Sequence, residues 1–253
     1  MQQRKYRRLP LAGLNNCREL GGYAAGSGIT KYGACLRSEV PSALTEDDIR
    51  FLRDYGLTTV IDLRSSFETK HVPDVLASMP WVEYINLPMF SEAAAAGANL
   101  DVHDRKNTPF DDSFAWRNEY IRFAGDHKDW VRLVLEAVSA APGAVLYHCT
   151  TGKDRTGIIS AMLLGLCGVA EEDIIADYAV SQIYLKEMYR TMTHLLPEKD
   201  HGNIHHPFFS TAPANMEGLL EHIDREYGGC LPYLEACGVS ESVIAALRAK
   251  LVE

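Results

Sequence analysis

The sequence lacks the features that mark several classes of protein. Its six cysteines, at positions 17, 35, 149, 167, 230 and 237, include no CxxC pair and match no zinc or small disulfide framework. No long Lys/Arg run occurs beyond residues 4–8, and the net charge is −9, which argues against a nucleic-acid binder. The longest apolar stretch, residues 158–170, is too short and too broken by glycine to span a bilayer.

The basic N-terminus is not followed by the apolar segment and cleavage site of a signal peptide. We therefore expect a cytoplasmic protein with reduced thiols, although secretion without a signal peptide stays open. The composition is that of a globular chain, with 47% hydrophobic and 23% charged residues over 253 positions. This length is compatible with one domain, and we expect residues 1–253 to form it.

The order of strand and helix patterns predicts an α/β fold, with a central, mostly parallel sheet flanked by helices. Thr45, followed by Asp48, is a candidate N-cap for a helix that ends near Tyr55 at Gly56. The other predicted elements are strands at residues 57–63, 82–87 and 144–147, and helices at 112–124, 127–140, 171–195, 214–226 and 241–251. The part after residue 168 is thus predicted to be helical.

A long connection separates the second and third predicted strands. Residues 91–109 are rich in Ala, Gly and Asp and have little periodicity. Because long connections in compact folds often cover or recognise a ligand, we interpret residues 91–118 as a lid or recognition segment.

Residues 148–157, HCTTGKDRTG, lie between a predicted buried strand and a predicted helix. Gly152 and Gly157 permit a tight turn in which successive N–H groups of residues 150–155 point inward and bind an anion. Arg155 adds a planar, bidentate grip on a phosphate-like group. Cys149 faces the same positive potential, which favours the thiolate, and a thiolate at this place can attack a bound phosphorus.

The neighbours of Cys149 and Arg155 strengthen this interpretation. Thr156 is placed to donate a hydrogen bond to the Cys149 sulfur, and we expect His148 to order the loop backbone rather than act as a base. A Walker phosphate loop is excluded, because Gly152-Lys153 is followed by Asp154 instead of Ser or Thr. The alternative is a cysteine that only packs at the end of a strand.

The loop resembles the HCxxGKDR signature of the bacterial atypical tyrosine/lipid phosphatases. The resemblance extends to residues 16–23 (NCRELGGY), to Arg37-Ser38, to Asp62-Leu63-Arg64 and to Tyr227-Gly228-Gly229. It implies the fold of the cysteine-dependent phosphatases. It also implies activity on phosphotyrosine and, as in some members, on phosphoserine/threonine and phosphoinositides, with no cofactor and no metal.

The same resemblance implies roles for the loop side chains. Cys149 is the nucleophile, Arg155 binds the phosphate, and Asp154 is the first candidate for the general acid, with Glu92 second. The remaining substrate-binding candidates are Thr150, Thr151, Gly152, Lys153 and Thr156. Two alternatives stay open: Asp154 as a carboxylate that stabilises the loop in the manner of an N-cap, and Lys153 as a solvated lysine rather than a second cation for a multiply phosphorylated substrate.

Other polar residues are assigned supporting roles. Asp62 and Arg64 end a predicted strand beside the loop strand, and we expect Arg64 to brace the loop through an ion pair with Glu68. The histidines at 194, 201, 205 and 206 are not expected to bind a metal, because no cysteine partner is near them. Two other functions remain as alternatives: a phosphate-binding module without turnover, and a thiolate enzyme that handles sulfur or arsenate.

Overall fold

The structure is a computed structural model that describes residues 6–26, 28–90 and 115–253. Its strands are β1 (Arg18–Glu19), β2 (Ala24–Ala25), β3 (Gly28–Ile29), β4 (Cys35–Ser38), β5 (Leu57–Asp62), β6 (Glu83–Asn86) and β7 (Ala144–His148). Five of them form one sheet in the order β1-β4-β7-β5-β6, and β2 and β3 form a separate antiparallel pair. Within the large sheet β4, β7, β5 and β6 are parallel, and only the edge strand β1 is antiparallel.

The α-helices, numbered along the described residues, are α1 (Glu46–Asp54), α2 (Ser66–His71), α3 (Trp116–Asp126), α4 (Lys128–Ala140), α5 (Asp154–Leu166), α6 (Glu171–Ala179), α7 (Ser181–Tyr184), α8 (Lys186–Met192), α9 (Pro213–Tyr227), α10 (Cys230–Ala236) and α11 (Glu241–Leu251). Short 3-10 helices occupy Val75–Ser78, Thr193–Leu195, Glu198–Asp200 and Pro207–Phe209.

Two hydrophobic cores lie on opposite faces of the sheet, because successive side chains of a strand point in opposite directions. On β7, Val145 and Tyr147 join the larger core, whereas Leu146 joins the smaller one. The larger core includes residues of α3, α4 and α5, and the smaller one includes Leu52 of α1. All five residues of β7 are buried, so the strand that leads into the loop is held on both faces.

The predicted fold class is confirmed: a mostly parallel sheet is flanked by helices, and the C-terminal part is helical. The Thr45 N-cap is also confirmed, since its side chain accepts from Asp48 N–H and the Asp48 side chain accepts from Thr45 N–H. The prediction of one helix over residues 171–195 is wrong. The chain turns more tightly where Ile183 N–H bonds the carbonyl of Val180, three residues back, and α6, α7 and α8 are separate.

Several short elements were not predicted, among them β1, β2, β3, β4, α2 and α10. The strand β4 was missed because it has only four residues and carries Arg37 and Ser38, polar residues that are buried here. The helices α2 and α10 have six and seven residues, too few for a helical period to stand out.

Most of the predicted lid, residues 91–114, lies outside the described residues, and so does Glu92. The last residues of that segment enter α3, which begins at Trp116. Residues 6–26, 28–90 and 115–253 contain no candidate membrane-spanning helix.

Candidate active site

The HCTTGKDRTG loop runs from the end of β7, the middle strand of the sheet, to the start of α5. Cys149 follows β7 directly and is 1% exposed. Gly152 has φ +71°, and a Cβ at this position would lie 2.3 Å from the carbonyl oxygen of Ser38. The turn therefore requires glycine both for its left-handed backbone and for its close approach to β4.

Four carbonyl groups of the loop are contacted by other polar groups. One is contacted by His148, the first residue of the loop, and three are contacted by residues outside it. The contacts are His148 Nδ1 with Cys149 O (3.1 Å), Val40 N–H with Thr150 O (3.2 Å), Asn16 Nδ2 with Thr151 O (3.1 Å) and Arg37 Nη2 with Gly152 O (2.8 Å). In a trans peptide the N–H points away from the C=O, so these contacts turn the following N–H groups to the other side of the loop.

The N–H groups of three consecutive loop residues lie on the side of the loop opposite these contacts. Within the described ranges, no protein group accepts from the N–H of Thr150, Thr151 or Gly152. Several peptide N–H groups that converge without partners at the start of a helix form an anion-binding concavity. The contacts to the loop carbonyls are compatible with such an arrangement, and the binding of phosphate by these N–H groups stays a prediction.

Arg155, in the first turn of α5, is held by a carboxylate that the prediction had assigned elsewhere. Its two terminal nitrogens donate to the two oxygens of Glu68, at 2.8 and 2.6 Å, in a bidentate pair. Thr150 Oγ1 also donates to Glu68, at 2.5 Å. Burial would raise the pKa of Glu68, but the Arg155 guanidinium outweighs it and holds that pKa well below its usual range. Glu68 therefore stays charged and fixes two residues of the loop.

The predicted ion pair between Arg64 and Glu68 is wrong. Arg64 instead donates from Nε and Nη2 to the carboxylate of Asp62, at 2.9 and 2.7 Å, and from Nη1 to the carbonyl of Val72. The charge of Glu68 is already matched by Arg155, and that of Asp62 by Arg64. Asp62 and Arg64 do lie at the end of β5, beside the loop strand, as expected.

His148, Asp62 and Asp74 form a buried cluster behind the loop. His148 Nε2 lies 3.0 Å from Asp74 Oδ2 and 3.6 Å from Asp62 Oδ2. The three groups are close enough to hold a metal ion, but Asp62 already accepts from Arg64 and from Tyr84 OH. Because a cation would compete with Arg64 here, the arrangement suits hydrogen-bonded support of the loop, in line with the backbone-ordering role expected for His148.

Asp154 is the first residue of α5, and its side chain is 17% exposed. Its Oδ1 accepts from Tyr120 OH at 2.6 Å and from Lys153 Nζ at 2.8 Å. The helix has no side-chain cap, so Asp154 is not an N-cap, although it does hold Lys153 of the loop.

Lys153 and Thr156 differ from what was expected of them. Lys153 is 1% exposed and its ammonium lies 4.0 Å from the centroid of the Trp116 ring, so the alternative of a solvated lysine is wrong. Thr156 Oγ1 is buried and has no hydrogen-bond partner in the described part of the chain. The expected bond from Thr156 to Cys149 is therefore not formed in this structure.

Asp177 of α6 was missed in the sequence, although it connects the rear of the site. It pairs with Arg18 (2.9 Å) and with Arg37 (2.6 Å), and it accepts from Tyr23 OH (3.0 Å). Burial would raise its pKa, but Arg18 and Arg37 outweigh it and lower the pKa of Asp177 to about 2. No local pattern distinguishes Asp177 from the exposed acidic residues that begin the same helix.

A buried cysteine, N–H groups without acceptors among the described residues, and a fixed guanidinium are the groups that a phosphate-binding site requires. A sequence model of the tyrosine phosphatase family matches residues 9–253. The chain belongs to the tyrosine phosphatase family, and it is a hydrolase of the phosphatase class.

Two curated relatives and one solved structure are similar to this chain. A tyrosine-protein phosphatase of Nostoc commune is 31% identical over 225 residues, which cover 86% of this chain and 74% of that protein. The triple specificity protein phosphatase PtpB of Mycobacterium tuberculosis is 26% identical and covers 87% of this chain and 91% of that protein. The crystal structure of P. aeruginosa TpbA is 17% identical, with a TM-score of 0.36, over 87% of this chain and 96% of that chain. A likeness of this size carries no functional argument.

Proposed function

We propose that this phosphatase hydrolyses phosphotyrosine through a phosphocysteine intermediate on Cys149, with no metal or cofactor. The observation that carries the proposal is the binding of four consecutive loop carbonyls from behind, which leaves N–H groups for the three equatorial oxygens of a phosphoryl group. Arg155, fixed by Glu68, supplies the guanidinium for this site.

In the proposed mechanism the Cys149 thiolate attacks phosphorus, and the bond from phosphorus to the tyrosine oxygen breaks. Asp154 donates a proton to the departing oxygen, so tyrosine leaves as a neutral phenol. The resulting carboxylate then takes a proton from the water that attacks the phosphocysteine. Thr156 Oγ1, which has no partner among the described residues and makes no bond to Cys149 in this structure, turns towards the sulfur and stabilises it as it leaves. Thr150, Thr151, Gly152 and Lys153 contribute their N–H groups to phosphate binding.

Phosphoserine, phosphothreonine and phosphoinositides are proposed as further substrates. The relative named a triple specificity phosphatase supports a broad range of substrates. Lys153 is held by Asp154 and by the Trp116 ring, so a second phosphate would have to draw it away from these contacts. We therefore place phosphotyrosine first and phosphoinositides after it. A panel of phosphotyrosine peptides, phosphoserine peptides and phosphoinositides tests this order.

Three broader predictions accompany the activity. The match to the family over residues 9–253 supports one phosphatase domain, with residues 91–118 as its lid or recognition segment. The six cysteines are free thiols, which fits the reducing environment of the cytoplasm. The partner is a phosphorylated substrate, and we do not expect nucleic acid to bind.

The proposal is tested by hydrolysis of p-nitrophenyl phosphate. We expect Cys149→Ser to abolish turnover and a chelator to leave the native rate unchanged. Cys230→Ser is the matched control, since Cys230 contacts the carbonyl of Met162 in the helical part of the molecule and should retain activity. Phosphate binding with no turnover by the native protein would instead favour a binding module, and turnover of sulfur or arsenic oxyanions alone would favour the other thiolate chemistry. Full activity of Cys149→Ser would refute the mechanism.

A further inference from the structure

A row of hydroxyl groups connects Asp154 to three helices. Tyr120 of α3 lies 2.6 Å from Asp154 Oδ1, and its hydroxyl lies 2.8 Å from that of Tyr178 on α6. Asn215 of α9 donates from Nδ2 to the Tyr178 hydroxyl, at 3.3 Å. Both tyrosines are buried, with 0% and 1% of their surface exposed. Proteins rarely bury such a row of polar groups unless each one is paired, and here each one is.

The direction of these hydrogen bonds follows from the two ends of the row. Asn215 donates to Tyr178, which leaves the Tyr178 proton for the Tyr120 oxygen, and the Tyr120 proton then goes to Asp154. Burial, and secondarily the Asp154 carboxylate, raise the pKa of Tyr120 well above its ordinary value, so its hydroxyl remains a donor. Lys153 can only donate, and it donates to the same oxygen, Oδ1.

The two oxygens of Asp154 are therefore unlike each other. Oδ1 accepts from Tyr120 and from Lys153, whereas Oδ2 accepts from no group in the described ranges. A proton on Oδ1 would point at donor hydrogens, so the proton of the neutral acid belongs on Oδ2. We propose that Tyr120 is a positioning residue that assigns the transferable proton of Asp154 to Oδ2 and holds this oxygen towards the leaving group.

This inference rests on the proposed function and adds to it the geometry of the acid. In the first step the Cys149 sulfur forms its bond to phosphorus, the ester P–O bond breaks, and the Oδ2 proton moves to the departing oxygen. The negative charge left on Asp154 is stabilised at Oδ1 by Tyr120 and Lys153. In the second step water attacks phosphorus, Oδ2 takes a proton from that water, and the thiolate leaves, which restores both groups.

The test compares two substrates that need the acid to different extents. Phenyl phosphate has a basic leaving group that must be protonated, whereas p-nitrophenolate leaves readily as an anion. A general acid accelerates the chemical step about 100-fold or more. Loss of its positioning in Tyr120→Phe should therefore lower kcat/KM roughly 10-fold on phenyl phosphate and under about 3-fold on p-nitrophenyl phosphate. Tyr233→Phe is the matched control, because Tyr233 is buried and donates to the carbonyl of Ala124 on the same helix, α3. It should change neither rate.

A double-mutant cycle then asks whether Tyr120 acts through Asp154. In an Asp154→Ala background, Tyr120→Phe should produce no further loss on phenyl phosphate. An equal loss on both substrates, or the same loss with and without Asp154, would overturn the inference. Failure of the proposed function is distinguished by Cys149→Ser in the same assay: if that variant matches the native rate, both claims fail, whereas if it is inactive and Tyr120→Phe resembles Tyr233→Phe, only the positioning role fails.

Discussion

The two sides of the Cys149 loop differ in how completely their polar groups are paired. On the rear side, Asn16 and Arg37 donate to loop carbonyls, and Arg37 is itself neutralised by the buried Asp177. Arg37 Nε is the exception on this side, since it is buried and has no partner among the described residues. On the front side, loop N–H groups and the Thr156 hydroxyl have no partner among the described residues. Unpaired buried polar groups cost free energy, so they persist only where the surrounding structure is rigid.

The comparison indicates that the rear side provides the stability on which the front side depends. A catalytic anion site is effective when its donors already point at the charge before the substrate arrives. Arg18, Arg37 and Asp177 hold the loop from behind through ion pairs whose members are all nearly inaccessible to solvent. Substitutions on the rear side should therefore reduce stability first, and those on the front side should reduce activity with little loss of stability.

The largest effect is expected from Asp177→Asn. This change leaves Arg18 and Arg37 buried without their common counter-charge, and breaking a buried ion pair costs about 3–5 kcal/mol of unfolding free energy. Urea unfolding followed by circular dichroism measures it. Asp173→Asn on the same helix is the control, because Asp173 is exposed and its loss should change stability by under about 0.5 kcal/mol. If the two variants were equally stable, Asp177 would not stabilise the protein as the counter-charge of Arg18 and Arg37.

A smaller loss of unfolding free energy is expected at acid pH. Burial opposes ionisation of Asp177, but Arg18 and Arg37 lower its pKa to about 2, below the value of about 3.9 for an unfolded aspartate. The stability that this group contributes is therefore present above about pH 4, and it is lost as the pH falls towards 2; it amounts to roughly 2 kcal/mol. Glu68 acts in the same direction, because Arg155 also lowers its pKa. Unfolding free energies at pH 5 and pH 3 test this, and equal values would contradict it.

The rear and front sides also differed in how well they could be predicted. The front side is local in sequence: Cys149, Gly152 and Arg155 lie within seven positions, and the strand, turn and helix around them have recognisable patterns. The rear side is assembled from distant parts of the chain. Arg18 and Asp177 are 159 positions apart, and a single sequence carries no sign that their charges meet.

The same reasoning explains the errors at Arg64 and Glu68. The two residues were expected to pair, but Asp62 is closer to Arg64 along the strand end, and Glu68 faces the loop from the first turn of α2. Tyr120 was passed over as well, because a tyrosine within an amphipathic helix resembles any other core residue until Asp154 is placed beside it.

The smallest effect on stability is expected from Thr156→Val on the front side. Since the hydroxyl has no partner to lose among the described residues, the unfolding free energy should stay within about 1 kcal/mol of the native value or rise. Turnover should fall roughly 10-fold, because the variant has no hydroxyl that can turn towards the leaving sulfur, and a burst of product should reveal the slower second step. Thr30→Val provides the contrast: Thr30 Oγ1 accepts from Tyr23 N–H at 2.9 Å, so stability should fall while the burst is absent. A stable Thr156→Val variant with the native turnover would show that the Thr156 hydroxyl takes no part in the reaction.

The most direct test of the account is to find the atom that carries the phosphoryl group during turnover. The native protein is mixed with p-nitrophenyl phosphate, quenched in acid within the first turnover and digested, and the phosphorylated peptide is sequenced by mass spectrometry. The account predicts a phosphoryl group on the peptide that contains Cys149, in native protein and not in Cys149→Ser. Phosphorylation of a different residue, or rapid turnover with no phosphorylated peptide from either protein, would contradict it.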